Sequence, residues 1–315
     1  MKYKVLVLGV SSFAGSSFAN FLINQKKFDI LGTYRSKKNL KNLIFFDKTK
    51  KIKLVKIDLS KKNNSLLKVV KSFKPHYIFD FASVCMVNES WLDPKYYLDV
   101  NVNSKMELVK ELHKLEFLKK FIYISTPEVF GSTKNLVNEN YNIFRPTTPY
   151  AISKLSFEKI LMSYSFNFGG KTIITRFSNF YGRGQFLHRL VPKLINCINK
   201  KIKFPMHGDG LTKRDFIFDE DFNTALIRVM EKGLIGSTYH FSTGSHNSIK
   251  KIIQVICKIK NVKFDTIVER VIDRTGKDKY YFLDCKKTSK ELNWKPKYDL
   301  YSGLQKTIDF YCKDI

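Results

Sequence analysis

Apolar residues along the chain come in short blocks, separated by stretches in which polar and apolar positions alternate at helical spacing. Tyr3–Gly9 (YKVLVLG) is a continuous apolar run ending in glycine, which predicts a buried strand. The following SSFAGSSFANFLINQ carries small and apolar residues at helical spacing. Further strands are predicted at Phe28–Arg35, Ile52–Ser60, His76–Ser83, Phe121–Thr126 and Thr172–Ser178. Between them, NNSLLKVVKSF reads as a helix capped by Asn64 or Ser65. A long helix starts near Pro94 and reaches about Leu118, with Val102, Met106, Leu108 and Val109 on its apolar face. Another follows Tyr150. Strands alternating with helices predict right-handed crossovers and an α/β fold with a doubly wound parallel sheet. Beyond residue 180 the pattern loosens, with helices at NSIKKIIQVICKI and SGLQKTIDFYC. The expected organisation is a sheet domain over residues 1–180 and a smaller C-terminal α/β lobe over 181–315, which mainly binds substrate. No repeat, linker or low-complexity segment interrupts it.

Composition narrows the class. The 315 residues are 43% hydrophobic and 14% aromatic, enough for a substantial core. No run of about 18 apolar residues appears, so no membrane span is expected. The N-terminal MKYKVLVLGV reads as strand and turn rather than as a cleaved leader. Five scattered cysteines (Cys85, Cys197, Cys257, Cys285, Cys312) form no C-x-x-C pair, which points to a reducing, cytoplasmic setting without a zinc site. The six histidines make no metal-ligand pattern, so no metal is expected. The net charge of +28 is spread along the whole chain, as in KSFKPH, KKIKFP and IKKIIQVICKIK. That distribution favours a solvated lysine surface over dedicated nucleic-acid binding, while still drawing in an anionic small substrate.

Chemistry first enters at LGVSSFAGSSF, between a strand and a helix. A dinucleotide loop needs a tight turn, close backbone approach to the pyrophosphate and a helix N-terminus aimed at the phosphates. Gly9 and Gly15 hold the outer glycine places, and Ser12 stands where a middle glycine is expected. Gly9, Ser12, Phe13, Ala14 and Gly15 are the candidate cradle of a Rossmann site. The second strand ends in GTYRSKKN, with no acid for an adenosine ribose. Arg35, with Ser36 and Lys37 beside it, suits a 2′-phosphate, which favours NADP over NAD.

TTPYAISK places Tyr150 and Lys154 at i and i+4, on one face of a helix. An ammonium beside a phenol favours the phenolate, and hydride transfer needs such a base for the alcohol proton. YISTPEVFGS precedes this pair. FSNFYGRGQFLHRLVPKLI, HGDGLTKRDFIFDED, DRTGKDKYYFLD and ELNWKPKY follow it. Together these segments resemble, nearly end to end, the extended short-chain dehydrogenase/reductases of the NAD-dependent epimerase/dehydratase family, and most closely the dTDP-glucose 4,6-dehydratases among them.

The resemblance implies roles. Thr126 would bond the sugar 4-hydroxyl, Tyr150 would take its proton, and Lys154 would hold the nicotinamide ribose. Glu128 would remove the C5 proton once C4 is a ketone; water then leaves from C6 and hydride returns there. Asp58 and Leu59 would flank the adenine, and Ala82 would line the cofactor. Asn179, Arg214 and Arg274 would hold the nucleotide and its diphosphate, with Met86, Arg189 and Leu190 also on the substrate. The family pairs subunits through a four-helix bundle, which implies a homodimer built from the helix after Pro94 and the helix carrying Tyr150.

Three departures stand out. The acid that the dehydratases place between Thr and Glu is here Pro127, which carries no proton; GDP-mannose dehydratases have serine there. The loop lining the sugar carries Val84, Cys85, Met86, Asn88 and Glu89, and Phe130 replaces a tyrosine. The expected activity is nucleotide-sugar 4,6-dehydration. A 4-epimerase or other oxidoreductase on the same scaffold, and a non-catalytic dinucleotide- or RNA-binding protein, are the alternatives.

Overall fold

The structure, a computed structural model, describes residues 2–36, 40, 52–61, 65–272, 278 and 280–313. Its centre is a seven-stranded sheet. The strands are β1 (Tyr3–Leu8), β2 (Phe28–Tyr34), β3 (Lys53–Lys56), β4 (Tyr77–Asp80), β5 (Lys120–Ser125), β6 (Thr172–Phe177) and β7 (Thr238–Phe241). They lie in the order β7-β6-β5-β4-β1-β2-β3, every pair parallel. Strands buried on both faces read as continuous apolar runs. Accordingly Val5, Leu6, Val7, Ile78, Phe79, Phe121, Ile122 and Ile173 are fully buried.

The predicted strands are present but shorter at their ends. β3 stops at Lys56, and the Asp58 carboxylate then turns the chain by accepting from the Ser60 backbone N–H at 3.0 Å. Around the sheet pack α1 (Phe13–Gln25), α2 (Leu66–Phe73), α3 (Pro94–Asn101), α4 (Met106–Glu111), α5 (Pro149–Phe168), α6 (Leu190–Asn199), α7 (Asp219–Lys232), α8 (Ile249–Ile259) and α9 (Leu300–Lys313). Ser65 occupies the N-cap of α2; Asn64, the other candidate, lies outside the described residues.

The long helix predicted from Pro94 to Leu118 is instead two short helices. Val102, at φ −120° and ψ −71°, ends α3, and a 3-10 turn over Asn103–Lys105 leads into α4. Apolar spacing runs straight through the break, so the pattern conceals it. Its cause is local competition for backbone groups. Ser104 Oγ donates to the Val100 carbonyl at 2.8 Å.

Beyond residue 180 the chain both completes the sheet and builds a second layer. β7 joins the sheet beside β6, and α7 covers it next to α1, where Asn223 Nδ2 donates to Ser17 Oγ at 2.9 Å. α6, α8 and α9 enclose a separate apolar cluster of Leu194, Ile195, Ile252, Ile253, Ile256 and Leu304. Two-stranded pairings of 204–207 with 268–271 and of 213–214 with 247–248 frame that layer. Strand order reverses where β1 and β4 lie side by side. Ligands of such sheets bind at that point, beyond the C-terminal strand ends.

Candidate active site

The loop after β1 is built by a serine cap and two glycines. Ser12 is the N-cap of α1. Its Oγ accepts from Gly15 N at 3.0 Å and donates to Gly9 O at 2.8 Å. Its φ of −80° lies in the extended region, so no glycine is required there. Gly9 is at φ +75°, and a Cβ on it would meet the Ala82 backbone at 2.9 Å. A Cβ on Gly15 would meet Gly9 O at 2.5 Å. Phe13 stacks on Phe180 with ring centres 4.6 Å apart, and Ala14 packs on the core below. These contacts bring β1, β4 and the N-terminus of α1 together as a cradle that only a glycine backbone permits.

At its far end Arg35 is exposed and donates to the Tyr96 hydroxyl at 2.8 Å. Asp58, held below its usual value chiefly by the Ser60 hydroxyl, also feels the Arg35 charge. Leu59 packs on the apolar cluster beside it. Further along the same strand ends, the hydroxyls of Ser125 and Ser178 are buried without a partner, as is the Tyr123 hydroxyl on β5. A glycine cradle on a helix N-terminus, followed by orphaned hydroxyls, fits an elongated polar ligand such as a nicotinamide dinucleotide.

The reacting groups gather at the ends of β5 and α5. Thr148 caps α5 by accepting from Ala151 N at 3.2 Å, with Pro149 in the first turn, so Tyr150 and Lys154 project from one face of a firmly started helix. Thr126 caps the 3-10 turn over Pro127–Phe130, and its hydroxyl bonds the Tyr150 phenol. Lys154 Nζ donates to the Ile124 carbonyl at 2.7 Å and sits 4.3 Å from the centre of the Tyr123 ring. Tyr150, Lys154 and Thr126 are all buried.

Burial dominates the electrostatics. It holds the Tyr150 phenol well above its ordinary value, with Glu128 and Cys85 adding to the effect and the Thr126 hydrogen bond and Arg189 opposing it. The phenol is therefore held in its protonated form, although the Y-x-x-x-K spacing predicts a lowered value. Lys154 is drawn down to about 7, first by burial and then by the charge of Lys105. Glu128 is pushed up to about 7, first by burial and then by Asp278, against the pull of Arg214 and Arg189. A buried acid, a buried base and a carboxyl poised near neutrality in one crevice is an arrangement suited to moving protons.

The substrate candidates surround this group. Arg189 precedes α6 and donates to Cys85 Sγ at 3.4 Å, and Leu190 opens that helix. The Met86 carbonyl accepts from the Tyr97 hydroxyl at 2.6 Å. Asn179 Oδ1 accepts from the Tyr281 hydroxyl at 2.8 Å, and the Arg214 guanidinium lies over the Tyr281 ring at 4.1 Å. Arg214 also donates to the Lys213 carbonyl at 2.8 Å and to the Asp278 carbonyl. Arg274 and Lys37 lie outside the described residues.

Tyr281 and Asp278 belong to the site as well, although the sequence reading of DRTGKDKYYFLD names only Arg274. The signal was in that same segment. Among the described residues no group of three His, Cys, Asp or Glu side chains is placed to hold a metal, and no helix is long and apolar enough to cross a membrane.

Known proteins match this arrangement along its whole length. A family model described as GDP-mannose 4,6 dehydratase matches residues 6–307. The chain is 30% identical over 318 residues to a trifunctional UDP-glucose 4,6-dehydratase, 3,5-epimerase and reductase of Arabidopsis thaliana, covering 98% of this chain and 47% of that protein. It thus spans about half the length of that relative. It is also 30% identical over 323 residues to human dTDP-D-glucose 4,6-dehydratase, covering 98% of this chain and 89% of the human protein. Among solved structures, dTDP-glucose 4,6-dehydratase of Bacillus anthracis in complex with NAD superimposes with a TM-score of 0.88 at 26% identity, covering 99% of this chain and 97% of that one.

Proposed function

Because the chain belongs to the GDP-mannose 4,6 dehydratase family, within the extended short-chain dehydrogenase/reductases, we propose that it is a nucleotide-sugar 4,6-dehydratase. The observation that carries this reading is Glu128, a carboxyl raised to about 7 in the crevice that holds Thr126 and Tyr150. A base at C5 is needed for dehydration and has no task in a plain 4-epimerisation.

Gly9, Ser12, Gly15 and Ala82 would hold the dinucleotide, and Lys154 would bind its nicotinamide ribose. A nicotinamide dinucleotide held there would supply the hydride acceptor for C4 and the hydride donor for C6, and the positive charge of its oxidised form would favour the phenolate. Thr126 orients the 4-hydroxyl and Tyr150 takes its proton. Glu128 then removes the C5 proton, acidified by the new ketone. Its value near 7 matches a base that works at neutral pH. Pro127 has no proton to give, so Glu128 itself with the proton it took from C5, a water or another residue protonates the departing C6 hydroxyl, and water leaves. Arg214, Asn179, Arg189 and Arg274 bind the nucleotide diphosphate, as paired guanidinium groups suit phosphate oxygens. The segment 181–315 supplies most of that binding.

Arg35 favours NADP, and loss of NADP over NAD preference in Arg35→Ala is the expected check. A homodimer through α3 and α5 is supported by the exposed apolar side chains Leu98, Ile152, Met162 and Phe166 on those helices. The five free cysteines support a reducing, cytoplasmic setting.

Incubation with dTDP-, UDP-, GDP- and CDP-linked hexoses is expected to give a 4-keto-6-deoxy product from one of them, without net consumption of cofactor. Formation of a C4 epimer and no keto sugar would sink the dehydratase reading.

A further inference from the structure

The break after α3 brings a lysine into the core. Asn101, at the end of α3, bonds Val84 N at 2.8 Å, Val84 O at 3.0 Å and Ser153 Oγ at 2.9 Å. Four residues on, Lys105 is completely buried. Its Nζ donates to Asp80 Oδ2 at 2.6 Å and to the Ala82 carbonyl at 2.9 Å, while Asp80 Oδ1 accepts from Ala82 N at 3.0 Å. Ala82 is the residue pressed against Gly9 of the dinucleotide loop. The Lys105 ammonium also lies 5.6 Å from the centre of the Tyr123 ring, the same ring that the Lys154 ammonium approaches to 4.3 Å. Two buried ammonium groups thus share one aromatic ring. One is paired with a carboxylate; the other is bonded to a backbone carbonyl.

We propose that Lys105 is a positioning residue for Lys154: its buried charge, beside the same Tyr123 ring as the Lys154 ammonium, sets how readily Lys154 exchanges its proton during turnover. The Lys105–Asp80 pair at the same time fixes the Ala82 wall of the cofactor cradle. Like charges in a dry interior act on each other strongly because little solvent screens them. The groups that face Lys154 are Asp80 on β4, Cys85 in the loop after it, Lys105 at the helix break, Tyr123 on β5, and Tyr150 and Glu158 on α5 itself. Of these Lys105 pulls Lys154 down, while Asp80, Cys85 and Glu158 push the other way and more weakly. The catalytic meaning rests on the reading of Tyr150 and Lys154 as the C4-oxidising pair, but the test does not.

The Lys154 side chain is titrated by NMR in the full chain labelled with ¹³Cε-lysine, its resonance assigned by its loss in Lys154→Arg. A midpoint near 7 is expected in the unaltered protein. Lys105→Met should raise it by about one pH unit, a tenfold gain in proton affinity, and Lys105→Arg should leave it in place. Lys105→Met strands Asp80 and can prevent folding, so Asp80→Asn/Lys105→Met is the second variant. Its midpoint should also rise, but by less, because the raising effect of Asp80 is lost together with the larger lowering effect of Lys105. A midpoint unmoved in whichever of these variants folds overturns the proposal. A raised midpoint in a protein that makes no 4-keto product leaves the proposal standing and refutes the dehydratase reading instead.

Discussion

α5 carries two kinds of buried charge one turn apart. Glu158 faces Arg176 on β6, which donates from Nε at 3.0 Å and from a terminal nitrogen at 2.5 Å to its two oxygens. A third Arg176 nitrogen meets His240 Nε2 at 3.1 Å, and His240 Nδ1 bonds the Val137 carbonyl at 3.0 Å. Burial and the Arg176 charge keep His240 neutral, so it accepts from Arg176 on one side and donates on the other. The His240 carbonyl accepts from Thr288 at 2.6 Å and its N–H donates to Glu139 at 2.9 Å. Every polar group named here has a partner, and together they tie α5, β6, β7 and the 286–292 helix into one unit.

One and two turns toward the N-terminus the same helix presents Lys154 and Tyr150, with Glu128 opposite, and all three are displaced from their ordinary values. Buried charges with full sets of partners are structural; buried groups left short of them await a ligand. The paired end gives the poised end a fixed platform.

The largest effect that separates the two ends is expected from Tyr150→Phe. It removes the base at C4 and nothing the fold depends on. Turnover should fall by roughly 10²–10⁴-fold, with the unfolding midpoint unchanged. A large loss of stability would place Tyr150 with the structural end. Arg176→Met is the converse change. It strands the Glu158 carboxylate and should cost about 3–5 kcal/mol in chemical denaturation. Its activity, measured well below the transition, should fall far less than that of Tyr150→Phe.

Glu128→Gln sharpens the contrast because it should act in opposite directions on stability and function. The keto product should disappear while reduction of bound cofactor by the sugar, followed by the absorbance of the reduced nicotinamide, still occurs. A carboxyl raised from 4.5 to about 7 binds its proton more tightly folded than unfolded, so the native protein loses stability as pH rises through that interval. Above pH 7 the neutral amide should therefore be more stable than the native carboxylate, by about 1–3 kcal/mol. The gap closes as pH falls toward 4.5. Equal stability at pH 8 and pH 5 would show that Glu128 is not strained.

Much of the paired end's framework was legible in the sequence, and less of the site. β1, β5 and β6 announce themselves as unbroken apolar runs because both faces of a parallel sheet are covered. Tyr150 and Lys154 are legible because one helical turn fixes their spacing. Lys105 and Asp80 lie 25 residues apart on a helix break and a strand end, where no local period links them. The break itself hides under an apolar pattern that continues through it. Asp278 and Tyr281 reach Thr147 and Asn179 across more than a hundred residues, at 3.1 and 2.8 Å, through tertiary packing alone.

The smallest expected effect concerns Ser12, the residue standing where a glycine was expected. Its hydroxyl caps α1 and braces Gly9 at once. Ser12→Ala removes both bonds without altering the backbone preference and should cost about 1 kcal/mol of stability. Ser12→Gly should cost only a few tenths, since glycine is itself a tolerated cap. Dinucleotide affinity should follow the same order, falling a few-fold in the alanine variant, because the same bonds aim the helix N-terminus. Gly15→Ala is the contrasting change: a Cβ there would sit 2.5 Å from Gly9 O, so the loop must open. If Ser12→Ala bound the dinucleotide as well as the unaltered chain, the cap would belong with the structural half of the molecule. If it bound more weakly while remaining folded, Ser12 would be a working part of the cradle, with a hydroxyl doing by hydrogen bonding what a glycine does by absence of a side chain.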